Sequence, residues 1–141
     1  MRKIFMLALV PILSLMFMSC SQVNKITGRD SGPVILEPKT VKKGEYTFVI
    51  PANFSYEEKE SLVYEAPNLV RAYLVYVGKG DLHELIKFFD EYLYKLGWQK
   101  EGKLVGEEAI LSYSRNDGQL IVIKIEPRFS STLVKILLTK K

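Results

Sequence analysis

The chain has one cysteine, one histidine and one tryptophan in 141 residues, and these scarcities remove whole classes of chemistry. A single cysteine, Cys20, leaves no partner for an internal disulfide. With His83 as the sole histidine, any histidine-dependent triad or general base has to use that residue. No apolar run reaches the roughly 20 residues of a membrane-spanning helix. The apolar stretch Ile4 to Met18 is fifteen residues long and is interrupted by Pro11. The full glycine-lysine spacing of a Walker loop and the glycine spacing of a dinucleotide fingerprint are both missing, and no internal repeat is present.

What the chain does have begins at its start. Arg2 and Lys3 precede the apolar stretch, which ends at Ser19-Cys20 and gives way to polar Ser21-Gln22-Val23-Asn24. A basic start, a short apolar segment and a small residue before a cut make a secretory signal peptide over residues 1–19. The arrangement resembles the bacterial lipoprotein class, in which the cysteine after the cut is lipidated and becomes the first residue of the mature protein. That class usually carries Leu three residues before the cysteine and a small residue two before, where this chain has Phe17 and Met18. The resemblance implies a lipid anchor on Cys20 and residence in the cell envelope. Ser21 stands where lipoproteins kept in the inner membrane often carry Asp, so it further implies the outer membrane, facing the periplasm. One acyl chain holds a protein only marginally, and several hold it stably. With Cys20 lipidated, no thiol nucleophile remains.

Composition shifts once the leader is set aside. Without Arg2 and Lys3, 18 basic residues face 16 acidic ones, and the formal charge falls from +4 to +2. The remaining charges are interspersed in sign rather than gathered on a basic face, which argues against a nucleic-acid partner. Residues 20–44 hold the cysteine and a stretch short of aromatics, with Gly28, Gly32, Pro33, Pro38 and Gly44 among polar residues. They read as a tether. Its 24 residues after the cysteine give an end-to-end distance of about 27 Å as a flexible chain. Val34-Ile35-Leu36 is the segment of it that could dock on the domain. Residues 45–141 are dense in apolar pattern and suit one small domain.

Alternation predicts strands near Tyr46–Ile50, Val70–Val77, Gln99–Val105, Glu108–Arg115, Gln119–Glu126 and Thr132–Thr139, with Ser61–Glu65 as a short further candidate before Pro67. Leu82, Leu85, Ile86, Phe89, Leu93 and Leu96 recur at helical spacing between them. Asp81 fits the N-cap of that helix, Glu84 its third position, and Gly97 a left-handed stop that returns Trp98 against Leu93. Asn116-Asp117-Gly118 predicts a tight hairpin. The expected fold is α+β: an antiparallel sheet of five to six strands with one helix, about 81–96, on one face.

The pattern Arg71-Ala72-Tyr73-Leu74-Val75-Tyr76-Val77-Gly78, with Phe88-Phe89 and Gly97-Trp98 around the helix, resembles a group of small bacterial lipoproteins. The likeness covers residues 45–126. It implies the same small α+β domain and brings no catalytic residues with it.

Three places in the chain hold residues that could carry chemistry. Val77-Gly78-Lys79-Gly80-Asp81 runs from a strand into a helix N-terminus, a layout that cradles phosphate. Asp81, however, would put a carboxylate on the same amide donors. His83, Asp81 and Glu84 lie close in sequence, but catalytic zinc takes three well-placed protein ligands, and the two carboxylates belong to the cap. Glu57, Glu58 and Glu60, with Glu107 and Glu108, could supply a carboxylate pair for sugar hydrolysis, although a small domain has little room for the cleft. The expectation is therefore a non-catalytic protein without cofactor or metal.

An excess of apolar faces says more. If Ala72, Leu74 and Tyr76 face the helix, Tyr73, Val75 and Val77 face away, and in later strands Leu120, Val122, Leu133 and Leu137 do the same. An antiparallel sheet normally turns one polar face to water. Either another segment, such as residues 34–50, covers this second face, or a partner does. The expected role is a membrane-anchored binding domain, an accessory or assembly component that meets an envelope protein through these residues. The alternative is a binder of a small apolar or glycan ligand between helix and sheet, and a cell-wall hydrolase comes last. A free sheet edge would also allow two copies to pair.

Overall fold

The computed structural model describes residues 35–141; the expected signal peptide and Cys20 lie outside them. In chain order the described residues form β1 (Pro38–Lys43), β2 (Tyr46–Pro51), β3 (Ser55–Tyr56), a 3-10 turn (Glu58–Glu60), β4 (Leu62–Ala66) and β5 (Leu69–Gly78). Helix α1 (Leu82–Lys95) follows, and then β6 (Gln99–Val105), β7 (Ala109–Ser114), β8 (Gln119–Pro127) and β9 (Thr132–Lys140). The α+β class and the single helix on an antiparallel sheet agree with the sequence. The strand count does not, because nine strands form two sheets where five or six in one were expected. β3 has only two residues, and β1 reads Pro-Lys-Thr-Val-Lys-Lys, so neither offers an apolar alternation to detect.

The large sheet runs β3-β5-β9-β8-β7-β6, with β4 also pairing to β5, and all its ladders are antiparallel. β6 to β9 form a meander of consecutive hairpins. The chain enters it by crossing over from β5 through α1, and β9 closes the circuit by pairing with β5. β1 and β2 form a separate hairpin in register from Pro38↔Pro51 to Lys43↔Tyr46. The stretch expected as tether thus contributes a strand before residue 44. Gly44 makes the turn at φ 55, the positive-φ first position of a type II′ connection. There a Cβ would meet Val70 Cγ2 at 2.5 Å, so only glycine fits.

The helix ends obey local rules. Asp81 accepts hydrogen bonds from the backbone N–H of His83 (3.0 Å) and Glu84 (3.3 Å), which satisfies donors the first turn leaves open. At the other end Gly97 takes φ 87. Its N–H donates to Tyr94 O and the Trp98 N–H donates to Leu93 O, each at 3.0 Å, the paired bonds of a Schellman stop. Trp98 is thereby turned inward, and its Nε1 donates to Thr47 O at 2.9 Å, which ties the helix exit to β2. The Asn116-Asp117-Gly118 hairpin forms as expected, with Gly118 at φ 84 and its N–H donating to Arg115 O.

One core lies between the large sheet and a second layer made of α1 and the β1–β2 hairpin. Leu85, Phe89 and Leu93 of the helix and Phe48 and Ile50 of β2 join Leu74, Leu111, Ile121, Ile123 and Ile136 of the sheet in a single buried cluster. Each such side chain, fully removed from water, contributes about 1.5–3 kcal/mol. Residues 46–50 therefore cover the same face as the helix. The expectation that this segment covers the second face is overturned, because β2 is apolar on both sides and is buried against the helix as well as the sheet.

Candidate functional site

The face of the large sheet turned away from α1 is covered by neither the helix nor the β1–β2 hairpin, and most of its residues reach solvent. Period-two alternation puts Arg71, Tyr73, Val75 and Val77 on it from β5, opposite to Ala72, Leu74 and Tyr76 in the core. Strand register then assembles rows across the sheet. One row runs Leu62, Tyr73, Leu137, Val122 and Ser112 from β4 through β5, β9 and β8 to β7. The next runs Val75, Lys135, Lys124, Ile110 and Leu104.

The seven residues expected to form a partner surface share this face but not its accessibility. Leu137 is 42 % exposed, and Tyr73, Val77, Leu120 and Val122 are half-buried. Val75 is only 1 % exposed and Leu133 8 %, and both lie outside the main core cluster. The chain around the 3-10 turn runs past Val75: Glu57 N–H donates to Val75 O at 2.8 Å, and Val75 N–H donates to Ser61 Oγ at 3.0 Å. Residues that alternation within a single strand did not single out also belong to the open face. Leu62 is 73 % exposed, and Tyr64, Arg71, Ile110 and Leu104 join it. Pairing partners, which sequence does not specify, put them there.

A charged cluster interrupts the apolar rows. Glu126 accepts from Lys124 at 2.7 Å and Lys135 at 2.9 Å, lies 3.4 Å from Arg128, and leaves 10 % of its side chain exposed. Lys124 also reaches Glu108 at 3.0 Å. The hydrogen bonds from Lys124 and then Lys135 outweigh burial and hold the Glu126 carboxyl at about 2. Such a cluster is satisfied internally and leaves the surrounding apolar residues as the available surface. On the other side of the sheet, the Tyr113 hydroxyl donates to Asp90 Oδ1 at 2.5 Å, and Lys100 bonds Asp90 Oδ2 at 2.6 Å. Burial, then this bond, pushes the Tyr113 phenol well above its usual range, so it acts as a fixed donor that pins α1 to β7.

The histidine, the capping carboxylates and the glutamate clusters do not converge. His83 and Asp81 are exposed, and Asp81 is engaged by the cap. Gly80 O accepts from Thr132 Oγ1 at 2.9 Å and Lys79 O from Asn53 Nδ2 at 2.8 Å, so this loop is held by its carbonyls. Glu57, Glu58 and Glu60 lie beside the β5 edge, whereas Glu108 precedes β7, three strand spacings away. That separation is about 14 Å or more, beyond the 5–9.5 Å of paired glycosidase carboxylates. Among the described residues no group of three or more His, Cys, Asp or Glu could hold a metal. No helix there is long and apolar enough to cross a membrane.

Of the two edges of the large sheet, the β6 edge is poorly suited to pairing. A bulge displaces its register between Lys100 and Gly102, and Lys100 and Lys103 flank it, devices that blunt sheet edges. A shallow cavity of about 270 Å³ opens instead on the β4–β5–β9 side of the open face, lined by Leu62, Tyr64, Arg71, Tyr73 and Leu137 among others. The space between helix and sheet is filled by Leu85, Phe89, Leu93 and Trp98, all 0–1 % exposed.

No family model matches the chain, and no curated protein matches it. Among solved structures it is similar to a Pseudomonas aeruginosa protein of unknown function, PA94, described as a putative regulator. The two share 12 % identity over 74 % of this chain and 83 % of that one, with a TM-score of 0.44.

Proposed function

We propose that this is a lipid-anchored protein of the bacterial cell envelope, held in the outer membrane through Cys20, whose α+β domain is a non-catalytic binding module. The domain docks an envelope protein on the open face of its large sheet as an accessory or assembly component. The observation that carries this reading is the row Leu62–Tyr73–Leu137–Val122, apolar across four adjacent strands on a face that neither α1 nor the β1–β2 hairpin covers. Contiguous apolar area of this kind marks interaction sites. The signal-like start and Cys20 support the anchor, and the scattered carboxylates support a role without catalysis. A ligand between helix and sheet would have to displace core side chains, which favours the open face over that alternative.

The test is in-cell crosslinking and affinity recovery of the tagged full-length protein, with Cys20→Ala and Val122→Glu as variants. Recovery of one stoichiometric envelope protein, lost in both variants while Val122→Glu stays folded, is the expected result. Recovery of nothing beyond the chain itself would sink the proposal.

A further inference from the structure

We infer that two copies of this chain pair through the β4 edge, antiparallel and about a two-fold axis at Tyr64. This contact lies on a strand edge and stands apart from the docking of a partner on the open face. β4 turns into β5 through Pro67-Asn68, with Asn68 at φ 68, and the register runs unbroken from Ala66↔Leu69 to Leu62↔Tyr73. The residues flanking a two-residue turn exchange hydrogen bonds, and bonded and non-bonded pairs alternate along the ladder. Leu62, Tyr64 and Ala66 therefore spend their backbone groups on β5. The bonds at Val75 fix the same phase. Its C=O accepts from the Glu57 N–H and its N–H donates to Ser61 Oγ, so Val75, and with it Tyr73 and Arg71 at two and four positions earlier, direct their backbone groups toward the β4 side. Val63 and Glu65 then turn their N–H and C=O groups outward. Among the described residues no other strand pairs with β4, and no turn or loop bond reaches these two residues.

An open edge takes a strand, and the residues of β4 single out a second copy of themselves. Leu62-Val63-Tyr64-Glu65-Ala66 carries none of the devices that blunt β6, for it has no lysine, proline, glycine or bulge. Leu62, Val63 and Tyr64 are all exposed. One self-pairing uses every outward group: Val63 exchanges bonds with Glu65 of the second copy, and Glu65 with its Val63. Tyr64 then lies opposite its own counterpart in the closer, non-bonded spacing, Leu62 lies opposite Ala66, and the whole strand overlaps. An axis at Glu65 would set like carboxylates against each other, and an axis at Val63 would match Glu65 with Ser61, which lies outside the strand. With the axis at Tyr64, Glu65 is the only charge in the strand, faces Val63, and has Lys43 Nζ of its own chain at 3.9 Å. A foreign strand would have to bring this complement, whereas every copy already carries it. Directly opposed side chains share a face, so both helices lie on one side of the joined sheet and the two open faces become one on the other.

The experiment uses the full-length chain in cells. After mild oxidation, Tyr64→Cys is expected to run as a covalent dimer on a non-reducing gel, because Cα atoms of a non-bonded pair lie about 4.5 Å apart, within disulfide reach. Leu62→Cys sets its two sulfurs about four residues, or roughly 13 Å, apart along the strands. It is expected to link no more than the unmodified chain, whose Cys20 sets the background. Coexpressed Leu62→Cys and a differently tagged Ala66→Cys are expected to give the mixed dimer. Tyr64→Lys puts two ammonium groups across the axis at a position exposed in the single chain. It is expected to shift the detergent-solubilised protein from dimer to monomer in sedimentation, with an unchanged circular dichroism spectrum. A monomeric unmodified protein, a dimer that folded Tyr64→Lys leaves intact, or equal linking of Tyr64→Cys and Leu62→Cys would each overturn the inference. The cysteine comparison decides the matter even where the lysine variant fails to fold.

Discussion

Glu126→Gln is the sharpest test of how the open face is held together. The substitution keeps the shape and an acceptor oxygen but removes the charge on which Lys124, Lys135 and Arg128 converge. Holding the carboxyl at about 2 rather than 4.5 sets a ceiling of about 3 kcal/mol on what ionised Glu126 contributes. Solvent reaches the lysine and arginine heads and screens part of this, so about 1–2 kcal/mol is expected at neutral pH. For a domain of this size that amounts to a loss of about 5–10 °C in melting temperature. The sign follows from a folded-state affinity for protons lower than the unfolded one. The contribution is fully present above about pH 4.5 and is lost as pH falls through about 2. Thermal melts of both proteins at pH 7, 4.5, 3 and 2 should show a gap that is widest at the higher pH values and closes toward the lowest. Equal melting temperatures at pH 7, or a gap that does not change across this range, would refute the reasoning.

Other outcomes follow from single contacts. Asp81→Ala should cost about 1 kcal/mol in urea denaturation through loss of the two cap bonds, whereas His83→Ala should change stability by less than about 0.5 kcal/mol, as at an ordinary surface position. Tyr113→Phe, which leaves Asp90 with only its Lys100 partner, should cost about 1–3 kcal/mol and lower hydrogen-exchange protection in the helix. Gly97→Ala and Gly44→Ala both place a side chain at positive φ, but only the second also meets a neighbour, Val70, at 2.5 Å. The first should therefore lose about 1 kcal/mol and the second clearly more in chemical denaturation, and a reversed order would contradict the packing at the β1–β2 turn.

Much of the local structure was legible in the residues. The helix with its cap and stop, the three-residue hairpin and the strands from Val70 onward follow from periodicity and from turn chemistry, which act over a few neighbouring positions. β1 escaped because Lys and Thr dominate it, and its turn glycine, Gly44, looks in sequence like any linker glycine. The candidate face was half legible: alternation assigned Tyr73, Leu120, Val122 and Leu137 to the side away from the helix. It could not show that the chain around the 3-10 turn passes beside buried Val75, or that Glu126 draws three cations together.

By itself the sequence determined the α+β class and the position of the single helix. These properties rest on composition, length and short-range pattern. The tertiary structure alone decided that the β1–β2 hairpin shares the helix side, that the opposite face stays open, and that Leu62, Tyr64, Arg71, Tyr73 and Leu137 meet around one cavity. Those outcomes depend on which strands pair and in what register. Pairing joins residues far apart in the chain through backbone hydrogen bonds that are alike at every position, and only the packing of the whole core selects among them.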